Sequence, residues 1–600
     1  MTTRVAARFG SDLIVDLLKA LGIEYVALNP GSTFRGIHDS IVNYGGNSHP
    51  EVIECNHEEI AVAIAHGYAK ASGKPMVAMA HNVVGLLHSS MAIFNAWCDH
   101  VPVVVMGGTG PMDTTKRRPW IDWIHTALVQ GNVVREFVKW DDQPASIEAI
   151  ADSILRAWRI AITEPQGPVY ICFDVEHQEA ELSSSIKLPD MSGYTPPTTL
   201  YPDPNKLEEV ARWLVGANSP VIIADRMGRK AGAVEALVKL AETLAAPVID
   251  KSGSLNFPNT HSLDLTGADV ELLGNADVIL ALDVDDLFGS LHRVEIQGRK
   301  FTPVLSKQAK VVHISLKEQF IRGWATDFQQ LPKVDLPIAG DSVAALRQLL
   351  PLCQQLLQKQ TSGKRKKLID RQATLKSKHE EMRKAWRQQA EAARNNSPIS
   401  VPCLAAVLGD VIKDKEWVLV NGSLGGWPRR LWNWEKPGQF LGDAGGGGLG
   451  YGPGASVGAA LAYRGSGVLC IDLQPDGDFM FCPQALWTAA HHQIPLLFVL
   501  DNNRTYLNSE NHPASIARQR GRQIENRLIG TEIDNPAVDF KGLARSLGIH
   551  AEGPIEKPGD LSGALKRAIR VVLEEKRPAL VDVHTEKPVG RGGPLQSYSG

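Results

Sequence analysis

At 600 residues the chain is about four times the usual ~150-residue domain, which predicts three or four domains. Lys plus Arg total 63 and Asp plus Glu 66, and this net charge of −3 argues against an electrostatic nucleic-acid binder. Hydrophobic residues at 44% and charged residues at 22% exclude wholesale disorder, and no apolar run approaches the ~20 residues of a membrane span.

In chain order, Ser11 to Leu21 has helical apolar spacing, and Tyr25 to Leu28 reads as a strand before the turn Asn29-Pro30-Gly31-Ser32. Glu58 to Ala71 reads as a helix, and Met76 to Ala80, Val101 to Met106 and Val169 to Phe173 as strands. This alternation predicts a parallel sheet covered by helices over residues 1–185. A Pro- and Ser-rich stretch serves as a linker at 186–204. A second α/β unit, 205–350, carries strands at Val221 to Ala224, Pro247 to Asp250 and Ala276 to Leu282. Residues 351–396, rich in Lys, Arg, Gln and Glu, are expected to form a solvated connecting helix. A third α/β unit fills 397–600, so the fold class is α/β with three doubly wound parallel-sheet domains. The N-terminus lacks an apolar signal core, and the seven Cys contain no Cys-x-x-Cys pair. A reducing, cytoplasmic setting is expected, with no disulfide framework, zinc site or membrane partner.

The third unit carries the densest motifs. Asp476-Gly477-Asp478 follows the apolar stretch Val468 to Leu473, and Asn502-Asn503 follows Pro495 to Leu500. Parallel sheets place ligands at the carboxyl ends of their strands, and carboxylate and amide oxygens there suit a hard cation such as Mg²⁺. The helix Gln484 to Ala490 between them offers an N-terminus to phosphates. Upstream, Gly445 to Gly452 invites a dinucleotide-fingerprint reading, but Phe440 to Ala444 is a poor strand, and Asp472 lies inside an apolar one.

This pattern resembles the thiamine-diphosphate-dependent enzymes, whose Gly-Asp-Gly…Asn-Asn motif binds diphosphate and Mg²⁺. Pro475 stands where that family has the first Gly. The resemblance implies that Asp476, Asn503 and the Thr505 carbonyl ligate Mg²⁺, and that Gly425, Gly477 and Asp478 join the cofactor-binding set. It implies that the Gly447 carbonyl accepts from the cofactor's 4′-amino group and that Leu449 wedges between its two rings. In the first unit, Asn56-His57-Glu58-Glu59 opens a helix that resembles the family's pyrimidine motif. Glu58 is then the carboxylate that shares a proton with N1′, driving the 4′-amino group to remove the thiazolium C2 proton. Glu59 is given the role of helix cap or dipole partner.

Within the family, Asn29-Pro30-Gly31-Ser32, Ala80-His81-Asn82 and Asn95-Ala96-Trp97 resemble benzoylformate decarboxylases. Ser32 is then expected to bind a substrate carboxylate and His81 to act in catalysis. The second catalytic His of that branch has no clear counterpart, since His292 is read as a surface residue. Leu128-Val129-Gln130 and Lys139 resemble the substrate approach of acetohydroxyacid synthases, a group in which FAD is common; no residue here decides FAD. His88 and His38 are assigned no role, and Trp120 and Trp123 are expected at an interface.

The expected function is a C–C bond-making or -breaking reaction beside the carbonyl of a small molecule, by a 2-oxo-acid decarboxylase or carboligase. A 2-hydroxyacyl-CoA lyase, a cyclic-diketone hydrolase and a non-catalytic thiamine-diphosphate-binding protein are the alternatives. The family places the pyrimidine unit of one subunit against the diphosphate unit of another, which implies a homodimer or homotetramer.

Overall fold

The structure, a computed structural model, describes residues 7–183, 186–295, 300–319 and 330–587. The extreme N-terminus, residues 184 and 185 at the end of the first unit, and the end of the third unit, 588–600, lie outside the described residues.

Three parallel sheets build the chain, as the α/β alternation predicts. The first contains β1 (Tyr25–Leu28), β2 (Glu51–Glu54), β3 (Met76–Ala80), β4 (Val103–Thr109), β5 (Asp141–Asp142) and β6 (Val169–Asp174), in the order β2-β1-β3-β4-β6-β5. The central sheet contains β7 (Pro220–Ala224), β8 (Val248–Asp250), β9 (Val278–Leu282), β12 (Lys310–Ser315) and β13 (Leu336–Ala339). Its order is β13-β12-β9-β7-β8, and β10 (His292–Glu295) and β11 (Lys300–Pro303) form a separate antiparallel pair. The third sheet runs β14-β15-β16-β18-β17, from β14 (Trp417–Asn421), β15 (Leu469–Pro475), β16 (Leu497–Asn502), β17 (His550–Ile555) and β18 (Ala579–His584). The central strands of each sheet are buried on both faces, which is why they read as apolar runs rather than alternating patterns.

The first and third units share one apolar core, which includes Ile60 and Ile64 on one side and Val457, Leu461 and Cys470 on the other. Its axis is a crossing of helix Glu58–Ser72 over helix Tyr451–Ala462. Small residues let the two backbones touch: a Cβ on Gly67 would lie 1.9 Å from the Ala455 carbonyl oxygen, and one on Gly458 1.9 Å from that of Ile64. Helix Ala485–His491 adds a second tie, because the Thr488 hydroxyl donates to the Glu54 carbonyl at 3.0 Å and the Glu54 amide donates to His492 Nε2 at 2.8 Å.

A buried charge cluster joins all three units. Asp99 Oδ2 accepts from Lys70 Nζ at 3.0 Å and lies 3.0 Å from His66 Nε2, while Oδ1 accepts from Arg226 Nη1 at 2.7 Å. Lys70 Nζ also reaches the Gly442 and Asp443 carbonyls at 3.2 and 3.0 Å. Burial alone would raise the Asp99 carboxyl, but Lys70, His66, Arg226 and Arg229 together hold it well below the usual range.

The charged segment forms helix Ser362–Ala392, yet it is not simply solvated. Leu375, His379, Arg383 and Ala390 are buried, and the long side chains reach backbone carbonyls. Arg383 Nη1 donates to Asn259 O at 2.8 Å and Nη2 to Asn433 Oδ1 at 3.0 Å, strapping the central unit to the third. Composition shows the charge but not these acceptors, which are distant in sequence.

The helix crossing generates a direct prediction. Gly458→Val places two methyl groups where the Ile64 backbone stands, and overpacking of this kind costs about 1–3 kcal/mol. The urea midpoint should fall by the corresponding amount with little change in far-ultraviolet circular dichroism; an unchanged midpoint would mean that the crossing yields freely.

Candidate active site

The candidate residues of the first unit lie at the carboxyl ends of three neighbouring strands. Ser32 follows β1, Glu58 follows β2 and His81 follows β3. Ser32 is half-buried at the start of a single 3-10 turn, Ser32–Phe34. Its neighbour Thr33 is fully buried, and Thr33 Oγ1 lies 3.0 Å from His81 Nδ1 and accepts from the Asn82 amide at 3.2 Å. Gly31 makes room for this contact, since a Cβ there would stand 2.5 Å from that of His81. Burial, and then the nearby His125, push the His81 imidazole below its usual pKa, so the ring is neutral at pH 7.

Glu58 is buried at the first turn of helix Glu58–Ser72, where a carboxylate also gains from the helix dipole. The cap itself is His57, whose Nδ1 accepts from the Glu59 amide at 3.2 Å. Glu59 does not serve as the cap. Its side chain turns inward against Gly450, Cys482 and Asp478, and burial, reinforced by Asp478, raises its carboxyl above the usual range.

In the third unit, Asp476 follows β15 and Asn503 follows β16, and these strands are neighbours in register, with Pro475 opposite Asp501. Asp476, Asn503 and Thr505 are all buried. Asp476 Oδ1 accepts from the Gly477 amide at 2.9 Å, whereas Oδ2 is buried with no hydrogen-bond partner among the described residues. Burial, with Asp501 adding repulsion, pushes the Asp476 carboxyl up to about 7. Asp582 beneath it is raised to about 6, chiefly by burial. Asp476, a buried carboxylate with an orphaned oxygen and no ion-pair partner among the described residues, fits a hard divalent cation. Asn503 Oδ1 accepts from the Thr505 amide at 3.0 Å, and Arg504 between them takes a left-handed φ of 58°, a strained geometry common where a ligand is gripped. Pro475 causes no obstruction: at φ −65° it occupies the cap of the short helix Asp476–Phe479, a conformation proline prefers.

The glycine loop is anchored from below and from the first unit. Asp478 accepts from the Gly450 amide at 2.6 Å and from Gln474 Nε2, so its carboxylate positions the loop. Asn95 Oδ1 accepts from the Gly448 amide at 3.2 Å. Gly447 has φ 60°, which an L side chain rarely adopts, and Leu449 beside it is 43% exposed. His88, Met91 and Asn95 share one stripe of helix Asn82–Cys98. His88 meets Glu58, and Met91 and Asn95, roughly one and two turns further along, meet the loop, so this stripe links the carboxylate to the glycines. Within the single chain, the first and third units therefore already meet at this point.

Other candidates have structural roles or stand apart. Gly477 packs under the Tyr506 ring, and Gly425 is exposed on the loop after β14 with φ 61°. Lys139 Nζ donates to Ile160 and Thr163 carbonyls, both at 2.6 Å, closing a helix end; Gln130 Nε2 donates to Tyr170 Oη at 2.7 Å. His292 stacks on Phe288 at 4.0 Å and lies half-buried. Sequence reasoning assigns no role to Thr33 or His88, whose contacts are with residues far away in the chain, and places His57 and Asn95 only within resembling motifs.

A thiamine-dependent enzyme is the class that this fold and site define. Three family models match: "Thiamine pyrophosphate enzyme, N-terminal TPP binding domain" at residues 8–131, "central domain" at 207–349, and "C-terminal TPP binding domain" at 421–583. The chain belongs to the thiamine pyrophosphate enzyme family. It is 25% identical over 601 residues to a probable acetolactate synthase large subunit of Methanococcus aeolicus, covering 93% of this chain and 90% of that one. It is 26% identical over 603 residues to the acetolactate synthase isozyme 3 large subunit of Escherichia coli, covering 96% and 94%. In fold it is similar to the thiamine diphosphate-dependent 4-hydroxybenzoylformate decarboxylase of Rhodococcus jostii, with a TM-score of 0.75 at 20% identity over 96% of this chain and 99% of that one.

Asp476→Ala removes the buried carboxylate with the orphaned oxygen. Calorimetric titration with thiamine diphosphate and Mg²⁺ should then give little or no Mg²⁺-dependent binding heat, against clear saturation for the wild type. Wild-type affinity in the variant would remove Asp476 from the metal site.

Proposed function

We propose that the protein cleaves or forms a C–C bond beside a carbonyl, decarboxylating a 2-oxo acid and passing the remaining acyl unit to an acceptor. The observation that carries this reading is the buried Glu58, linked through one helix stripe to the Gly446–Gly448 loop and in the same chain as Asp476, whose buried Oδ2 has no hydrogen-bond partner among the described residues. A protein that merely stored the cofactor would need the cation and the loop but not a buried carboxylate against the aminopyrimidine.

When bound, thiamine diphosphate supplies a carbon nucleophile and an electron sink. Asp476, Asn503 and the Thr505 carbonyl would hold Mg²⁺ and the diphosphate, the Gly447 carbonyl would accept from the amino group, and Leu449 would support the ring pair. Glu58 would hold a proton at the ring nitrogen. His81, neutral and buttressed by Thr33, would accept or donate a proton at the substrate oxygen or carbon. Ser32 would bind the substrate carboxylate. The full-length similarity to acetolactate synthases favours carboligation as the outcome. A flavin is not assigned to the central unit: a diphosphate at its switch point between β7 and β9 would meet Asp225, Asp283 and Asp285, already held by Arg226, Lys230 and Ser342.

Exposed apolar side chains sit on the segments that carry the site: Leu87 beside His88, Leu449 on the glycine loop, Phe481 against Gly450, and Trp120 and Trp123, 70% and 65% exposed, on the segment that brings His125 to His81. Their exposure favours cover by a second copy. A homodimer or homotetramer is expected, with a light-scattering mass of at least two 65.3 kDa chains; a fully active monomer would overturn this.

The reaction is tested with 2-oxo acids, thiamine diphosphate and Mg²⁺, following CO₂ and hydroxyketone products. Glu58→Gln should bind the cofactor normally yet lose about 10²–10⁴-fold in deuterium exchange at cofactor C2 and in turnover. Turnover of a 2-hydroxyacyl thioester or a cyclic diketone, with none of any 2-oxo acid, would overturn the decarboxylase reading.

A further inference from the structure

Glu58 is buried, so a proton it exchanges with a bound ring needs a path to water. One side chain offers that path. His88 Nδ1 lies 3.3 Å from Glu58 Oε2, and the two side chains are 58% and 6% exposed. Gly85, one turn earlier on the same helix, leaves space for the carboxylate, since a Cβ there would stand 2.9 Å from Glu58 Oε1.

The tautomers follow from the hydrogen bonds. An ionised carboxylate only accepts, so the His88 nitrogen facing it is N–H, and Nε2 is the other, exposed nitrogen. The His57 ring stacks on His88 with centroids 5.0 Å apart and an interplanar angle of 17°, holding it in place. His57 itself is spent: its Nδ1 accepts the Glu59 amide, and burial lowers its pKa, so it stays neutral. The titratable groups facing His88 are therefore His57, Glu58 and, farther off, Glu59.

We propose that His88 is a proton relay between Glu58 and water, acting through Glu58 rather than on the cofactor or substrate; this rests on the thiamine-diphosphate reading of the site. Inward, water or a buffer acid gives a proton to Nε2, and the Nδ1 proton passes to the Glu58 carboxylate. Outward, the Glu58 O–H returns its proton to Nδ1, and Nε2 releases one to water. The two transfers are the reverse of each other, so no ring flip is needed and no proton is gained or lost over a cycle. His57, Glu58 and His88 also have possible ligand atoms within 4.8 Å of one another, as a cation site would. With the His57 lone pair on the Glu59 amide and the His88 N–H on Glu58, the trio fits proton transfer better.

The test has two arms. In the cofactor-free protein, ¹⁵N spectra of the neutral His88 ring should show Nδ1 protonated, and Glu58→Ala, which removes the facing acceptor, should shift the ring towards the Nε2-protonated tautomer. An unmoved tautomer balance overturns the contact on which the relay depends. With thiamine diphosphate and Mg²⁺, His88→Asn keeps a hydrogen bond to Glu58 but cannot carry a proton through. Deuterium exchange at cofactor C2 should slow roughly tenfold or more in dilute buffer, recover with added imidazole, and leave cofactor affinity unchanged. Wild-type exchange on both sides of pH ~6.5, or a loss that imidazole does not restore, overturns the relay. Failure of the wild type to bind thiamine diphosphate would instead overturn the functional reading, and the ¹⁵N arm would still decide the His88–Glu58 pair.

Discussion

The site depends on two helices touching without side chains between them. Helix Glu58–Ser72 and helix Tyr451–Ala462 approach so closely at Gly67, Gly454 and Gly458 that backbone meets backbone. That contact fixes the separation of the two sheets to within the tolerance of a van der Waals surface. Both helices begin at the site: one opens with Glu58, the other directly follows the loop carrying Gly447 and Leu449. Rigid elements of opposite units therefore deliver the carboxylate and the carbonyl to one place, while the strand ends of the third sheet deliver Asp476 and Asn503. A wider crossing, with ordinary side chains interleaved, would move Glu58 away from the loop by several ångströms.

Much of this was legible in one sequence, for identifiable reasons. Sheets buried on both faces write themselves as short apolar runs, so the strands before Asp476 and Asn503 stood out, and the structure puts both residues at the ends of neighbouring strands. The glycine cluster was legible as a place where backbone comes close to something. What it approaches from the first unit was not: Asn95 stands out only as part of the Asn95-Ala96-Trp97 resemblance, with no contact implied, and nothing local distinguishes Met91 from an ordinary helix position. The sequence pattern points Lys139 and Gln130 towards substrate, yet the Lys139 ammonium donates to two backbone carbonyls and the Gln130 amide nitrogen to the Gly108 carbonyl and the Tyr170 hydroxyl. The sequence pattern makes Glu59 a cap or dipole partner, but His57, two residues earlier, takes the cap, which frees the glutamate side chain to turn inward. His88 failed for the same reason: an exposed histidine on a helix becomes meaningful only once Glu58 is seen beside it.

Two groups of buried carboxylates show how electrostatics separates structure from chemistry in this molecule. Asp99 is buried, and the protein supplies Lys70, Arg226 and a histidine within hydrogen-bond distance; its charge is compensated and its carboxyl acidic. Removing one partner from such a cluster costs about 3–5 kcal/mol, which suits a junction that must hold three units in register. Asp476 is buried in a similarly apolar setting, but the nearby groups are Asp501 and Asp582, and its carboxyl is raised to about 7. A fold gains nothing in stability from burying mutually repelling acids. Their placement at adjacent strand ends is what a site completed by a positive charge from outside the chain would require. The uncompensated cluster, rather than the compensated one, is therefore the candidate ligand site, and it lies where open parallel sheets place ligands.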